Sequence, residues 1–132
     1  IIADSAEYRG MQYNLKEVTG SGVIVLRNGE ISGTNYPGID PRTCVGYSDD
    51  GHVYFMVVDG RVDFYSYGFR YSEMGSIMKA LGCSWAANLD GGGSAQMLIR
   101  HPVADIFQIR NRPSDGQERP VVNAWMVTVN EP

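Results

Sequence analysis

Short apolar runs separated by turn signals dominate the chain. Residues 22–32, Gly-Val-Ile-Val-Leu-Arg-Asn-Gly-Glu-Ile-Ser, read as two strands around Asn28-Gly29, a pair that accepts the positive φ of a tight hairpin. A loop fixed by Pro37 and Pro41 delivers Arg42-Thr43-Cys44-Val45-Gly46-Tyr47 as the next strand, and a turn at Asp49-Asp50-Gly51 sends the chain back along residues 52–59. Inside that return, Val53-Tyr54-Phe55-Met56-Val57-Val58 is nearly unbroken apolar sequence, which predicts a central strand buried on both faces. Met74, Ile77, Met78 and Leu81 fall at i, i+3, i+4 and i+7, so a helix is expected from an N-cap near Ser72 to a left-handed Gly82. Further strands are predicted over 85–90, 95–100, 106–109 and 121–129, with a polar loop at 111–117. Residues 1–20 show weak periodicity and are expected to be irregular.

Strands of this kind with one amphipathic helix predict an α+β fold: a twisted, mostly antiparallel sheet with one or two helices packed on it. A length of 132 residues suits one domain, and 43% hydrophobic residues suffice for a core. Trp85 and Trp125 are expected in that core. The net charge of −4 repels polyanions and no stretch gathers basic residues, so nucleic acid is excluded as a partner. Isolated arginines at turns still suit a small phosphate. Cys44 and Cys83 lack the spacing of a zinc or redox pair, and the sequence leaves open whether they join. No targeting segment or membrane-spanning run occurs, and the start at Ile1 points to an upstream segment.

The chemistry concentrates at strand ends. Asn88-Leu89-Asp90-Gly91-Gly92-Gly93-Ser94 removes three consecutive Cβ atoms, which opens the N–H groups of Gly91, Gly92 and Gly93 to an anion. Asp90 stands at the end of an apolar strand, and Ser94 adds a hydroxyl beyond it. The same spacing also suits an ordinary hairpin loop, and no Gly-Lys-Ser/Thr follows to make a nucleotide loop. Asp59-Gly60-Arg61 leaves a second apolar strand with a carboxylate and a guanidinium one glycine apart, and Arg42-Thr43 follows Pro41. His52 and His101 lack ligand spacing and read as surface residues, and Ser94 lacks the setting of a hydrolase nucleophile.

Taken in order, Pro41-Arg42-Thr43-Cys44-Val45-Gly46, Val57-Val58-Asp59-Gly60-Arg61, Leu81-Gly82, the glycine turn, and Arg119-Pro120-Val121-Val122-Asn123-Ala124 resemble the phosphodiester glycosidase family, which is widespread in bacteria. The resemblance covers residues 22–130, leaving 1–21 as a lead-in segment or the remnant of an upstream half-domain. It implies hydrolysis of N-acetylglucosamine from an anomeric phosphodiester in an exported protein, and no cofactor is expected. Although calcium takes carboxylate and carbonyl oxygens, no Asp-x-Asp loop supports a divalent ion at Asp90, so no metal is expected. Family members carry an upstream Asn-Gly-Gly-Phe-Phe-like motif that this sequence lacks, so the site is expected to be completed by an upstream half as a separate chain, or by a homo-oligomer.

Under that reading Asp90 and Asp59 are the candidate catalytic carboxylates, as nucleophile or as base toward water. Arg42, Arg61 and the N–H groups of Gly91, Gly92 and Gly93 would hold the phosphate, and Asn88, Thr43 and Ser94 the sugar hydroxyls or the loop. A second class of function is a non-catalytic binding module for a phosphorylated cell-wall or cell-surface sugar. A third is an assembly domain that pairs through exposed strands.

Overall fold

A computed structural model describes residues 17–32 and 36–129. The expected irregularity of residues 1–16 lies outside those described. Five strands form one antiparallel sheet: β1 (Val23–Arg27), β2 (Glu30–Ile31), β3 (Arg42–Ser48), β4 (Val53–Val58) and β5 (Cys83–Asn88), in the spatial order β2-β1-β5-β3-β4. Helix α1 (Tyr71–Ala80) packs on one face of this sheet, against β1, β2 and β5. A separate ribbon pairs β6 (Leu98–Arg100) with β7 (Phe107–Ile109). The architecture is α+β, as the sequence pattern predicts.

The local reasons are visible. Asn28 and Gly29 take φ of 50° and 73°, the left-handed pair that reverses β1 into β2 with Leu26 opposite Ile31. Helix α1 begins one residue before Ser72, because the Glu73 carboxylate reaches back to the Arg70 N–H at 2.6 Å and closes the N-terminus. Gly82, at φ 85°, ends it as expected, donating to the Lys79 carbonyl. The apolar stripe buries Met74 and Met78 completely and leaves Leu81 at the surface.

Three expectations are corrected. β4 is the edge strand on its side of the sheet and β5 the middle one. Nor is β4 buried on both faces: Val53 is exposed and residues 54–58 are half-buried, because an apolar run states a preference for covered faces that only neighbouring elements can satisfy. Residues 121–129 form no strand; they are irregular and exposed, although the Trp125 ring lies 5.9 Å from that of Phe55. Their alternating valines find no strand to pair with among the described residues, and Trp125, at 52% exposure, is not core.

Register sorts the sheet into two faces, since directly opposed residues share one. Val23, Asn88, Cys44 and Met56 form a row on the helix face; Thr43 and Val57 lie on the other. Cys44 and Cys83 are both buried, free thiols. Burial, with the nearby Cys83, pushes the Cys44 thiol from an ordinary 9.0 up to about 12, and burial raises Cys83 as well. Both should resist a thiol reagent at pH 8 until the fold opens. A raised folded-state value also means that this contribution to stability is intact below pH 9 and is lost as pH climbs toward 12. Thiol labelling with and without denaturant, and denaturation midpoints across that range, check the two statements.

Candidate active site at the glycine turn

β5 ends at Asn88, and the chain turns at once through Asp90, Gly91, Gly92, Gly93 and Ser94, the last three forming a single 3-10 turn. A different segment lies against each glycine. A Cβ on Gly91 would stand 2.6 Å from the Pro41 carbonyl oxygen, one on Gly92 3.3 Å from Arg61 Nη1, and one on Gly93 2.3 Å from Asp115 Oδ2. The turn is therefore a hub where three other segments come against bare backbone.

Two of the three N–H groups that the sequence offers to an anion are already used. Gly91 donates to Asp90 Oδ1 at 2.9 Å, and Gly92 donates to the Pro41 carbonyl at 3.0 Å. Ser94 closes the turn by donating its N–H to the Gly91 carbonyl. Asp90 itself is exposed and forms no ion pair among the described residues, so its carboxylate is available to a ligand.

The two arginines differ sharply. Arg42 is 6% exposed, on the helix face, with its guanidinium 4.2 Å above the Tyr71 ring. Its Nε donates to the Phe69 carbonyl at 3.1 Å, and its Nη2 to the Gly38 carbonyl at 3.0 Å and to Asp40 Oδ2 at 3.3 Å. Arg61 is over half exposed; Nε and Nη2 both donate to Asp40 Oδ1, at 3.0 and 2.8 Å, while Nη1 faces Gly92. Asp40 thus sits between two guanidinium groups, the buried one bracing the carboxylate that aims the exposed one.

Asp59 is equally engaged. Its Oδ1 accepts from Asn111 Nδ2 at 3.0 Å and from the Arg112 N–H at 2.9 Å, and its Oδ2 accepts from the Tyr65 hydroxyl at 3.1 Å. That bond, with the carboxylate's charge, holds the Tyr65 phenol above its ordinary 10.0. Asn111 also clasps the Ala95 carbonyl and the Met97 N–H, just past the glycine turn. Farther along the same loop, Asp115 lies on Gly93 and is gripped by Arg119 Nε at 2.7 Å. Asp59 therefore anchors the loop that covers one side of the turn.

Thr43 and Asn88 are separated by the sheet. Asn88 is 5% exposed on the helix face with its Oδ1 unpartnered, and Thr43 Oγ1 is buried and unpartnered on the opposite face, both among the described residues. The structure places Asp90, Gly91, Gly92 and Ser94 on one turn with Arg61 against Gly92, while Gly93 is buried beneath Asp115. Arg42, Thr43 and Asn88 support that turn from within. The best-formed concavities among the described residues, about 300 and 200 Å³, lie elsewhere, lined by residues 100–105 and by Ser48, Asp49, Asp50, Tyr54, Leu81 and Gly82. Both are shallow clefts away from the glycine turn, and neither gathers a carboxylate with the glycine-turn backbone.

The family model described as phosphodiester glycosidase matches residues 2–128. The chain belongs to the phosphodiester glycosidase family. An SPbeta prophage-derived uncharacterized protein, YomE, of Bacillus subtilis (strain 168) is 36% identical over 88 residues, 67% of this chain and 13% of that protein. The catalytic domain of zebrafish N-acetylglucosamine-1-phosphodiester alpha-N-acetylglucosaminidase, auto-inhibited by its pro-peptide, superposes with a TM-score of 0.55 at 26% identity, over 71% of this chain and 34% of that one. The chain thus spans about a third or less of the length of these relatives.

Around the glycine turn, sequence reasoning missed Asp40 and Asp115. Asp40 was legible only as a loop residue before Pro41, and Asp115 as part of a polar loop. The signal available was charge complementarity, an unassigned acid near each of Arg42 and Arg119.

Proposed function

We propose that this chain carries the core of a hydrolase that cleaves a sugar, N-acetylglucosamine, from an anomeric phosphodiester. The observation that carries the proposal is Arg61 held across Gly92 by Asp40, two residues from Asp90, whose carboxylate forms no ion pair among the described residues. A phosphate ester leaves as a stable anion, so the reaction depends less on a general acid than on charge stabilisation at phosphate and a carboxylate at the anomeric carbon. Arg61 Nη1 supplies the first and Asp90 the second. Asp59, with both oxygens engaged, acts here by fixing the 111–119 loop and not as the reacting group.

The open surface at the turn is consistent with a site whose opposite wall comes from elsewhere, either an upstream half of the domain or a second copy. Family membership supports the reaction class, and the zebrafish protein's substrate supports the choice of sugar. The test is kinetic. On the complete protein, Arg61→Ala should lower kcat/KM toward an α-N-acetylglucosaminyl phosphodiester by about a hundredfold, the scale of losing one charge-stabilising donor. Tight calorimetric binding with no sugar release would instead favour the binding-module reading.

A further inference from the structure

The two edges of the five-stranded sheet are finished differently. β2 is two residues long and carries Glu30, whose carboxylate meets Lys79 at 3.5 Å, and a short, charged edge resists pairing with another chain. β4 has neither device. Its six residues, Val53-Tyr54-Phe55-Met56-Val57-Val58, contain no charge and no proline, and they pair with β3 in unbroken register from Arg42 opposite Val58 to Tyr47 opposite Val53. Among the described residues, no loop bonds to the backbone along its outer side. A straight apolar strand with open N–H and C=O groups is a template for a further strand.

The sequence of β4 says which strand fits. Val53-Tyr54-Phe55-Met56-Val57 reads alike from either end: valine outermost, then a long apolar side chain, tyrosine or methionine, with phenylalanine in the middle. Antiparallel pairing across a two-fold axis sets opposed residues on one face. The strand therefore meets its own copy with Phe55 opposite the partner's Phe55, Tyr54 opposite the partner's Met56 and Val53 opposite the partner's Val57. Each is a favourable cross-strand pair, and no charge stands opposite its like. We propose that β4 is a homodimer interface, pairing with β4 of a second copy so that one sheet runs through both chains.

The flank of the strand supplies further contact. Trp125 rests on Phe55, on the face away from helix α1, and Val53, Val122, Met126, Val127 and Val129 are each more than half exposed. With Trp125 they leave on the order of 800 Å² of apolar side chain in water, comparable to what one partner contributes to a stable dimer and more than a monomer usually shows. The same register sets the partner's His52 opposite Val58. The turn joining β3 to β4 in one copy then comes beside Asp59 and Arg61 of the other, next to the glycine turn.

The interface stands or falls independently of the cleavage reading. Sedimentation of the complete protein at micromolar concentration should give twice the mass of one chain, and the melting temperature should rise with protein concentration. Val53→Lys charges a side chain that is already 59% exposed, so the fold should stand while the dimer dissociation constant rises about tenfold or more. Phe55→Cys should form a disulfide-linked dimer with oxidised glutathione, because opposed Cβ atoms stand about 5 Å apart across the axis. Val53→Cys, more exposed but far from its own copy, should stay unlinked. Should Phe55→Cys fail to fold, Val53→Lys decides alone. A monomer, a dimer that Val53→Lys leaves intact, or linkage at position 53 as fast as at 55 would overturn the proposal. A monomer whose β4 amides resist hydrogen exchange would overturn it too, by showing the edge covered by another segment of the same polypeptide.

Discussion

Asp90→Asn should lower kcat/KM for an N-acetylglucosaminyl phosphodiester by about a thousandfold or more while leaving the fold intact. The carboxylate is exposed, and its one hydrogen bond among the described residues is accepted from the Gly91 N–H, a bond the amide oxygen of asparagine can keep. What the substitution removes is negative charge beside the glycine turn. Steady-state rates together with a thermal melt check this: a large rate loss at an unchanged melting temperature is expected. An unchanged rate would remove Asp90 from the chemistry, whatever the melting temperature does.

The largest effect on stability is expected at Gly68. It sits at φ 109°, and a Cβ there would stand 2.2 Å from the Asp40 carbonyl oxygen and 2.3 Å from its carbon. Both obstacles are backbone, held by paired bonds between Asp40 and Phe69 of 3.3 and 3.0 Å, so nothing can swing aside. Gly68→Ala should therefore destabilise by about 4 kcal/mol or more, a melting-temperature drop of more than about 10 °C. Gly51, at φ 93° with open space around it, isolates the conformational part, and Gly51→Ala should lose only about 1 kcal/mol. Similar losses at the two positions would contradict the packing argument. The contact matters for function because Gly68 and Phe69 fix Asp40, and Asp40 aims Arg61.

The local elements were readable because each rests on local chemistry. Asn28-Gly29 can reverse a hairpin, and Met74 and Met78 fall on one helical stripe before Gly82. The strand at 121–129 failed because pairing is non-local: alternating valines state a preference, and only a neighbour turns that into a strand. Likewise the apolar sequence of β4 could not reveal that β3 is its partner on one side only.

At the site, spacing located the glycine turn and Arg61 but blurred the roles around them. Arg42 and Thr43 look like one unit in sequence, yet strand alternation sends them to opposite faces, Arg42 under Tyr71 and Thr43 away from the helix. Asp59 ends an apolar strand just as Asp90 does, and the sequence holds no sign of the three partners, Tyr65, Asn111 and Arg112, that its carboxylate meets in the fold. Asp40 escaped notice because its two arginines are separated from each other by 19 positions and meet through the fold.

The account stands most directly on one observation in solution. Phosphorus NMR of the complete protein incubated with an α-N-acetylglucosaminyl phosphodiester should show the diester resonance replaced by that of a phosphate monoester, with free N-acetylglucosamine appearing in equal amount, and with Arg61→Ala and Asp90→Asn slowing the conversion. A diester that persists unchanged, or a conversion that yields N-acetylglucosamine 1-phosphate in place of the free sugar, would contradict it.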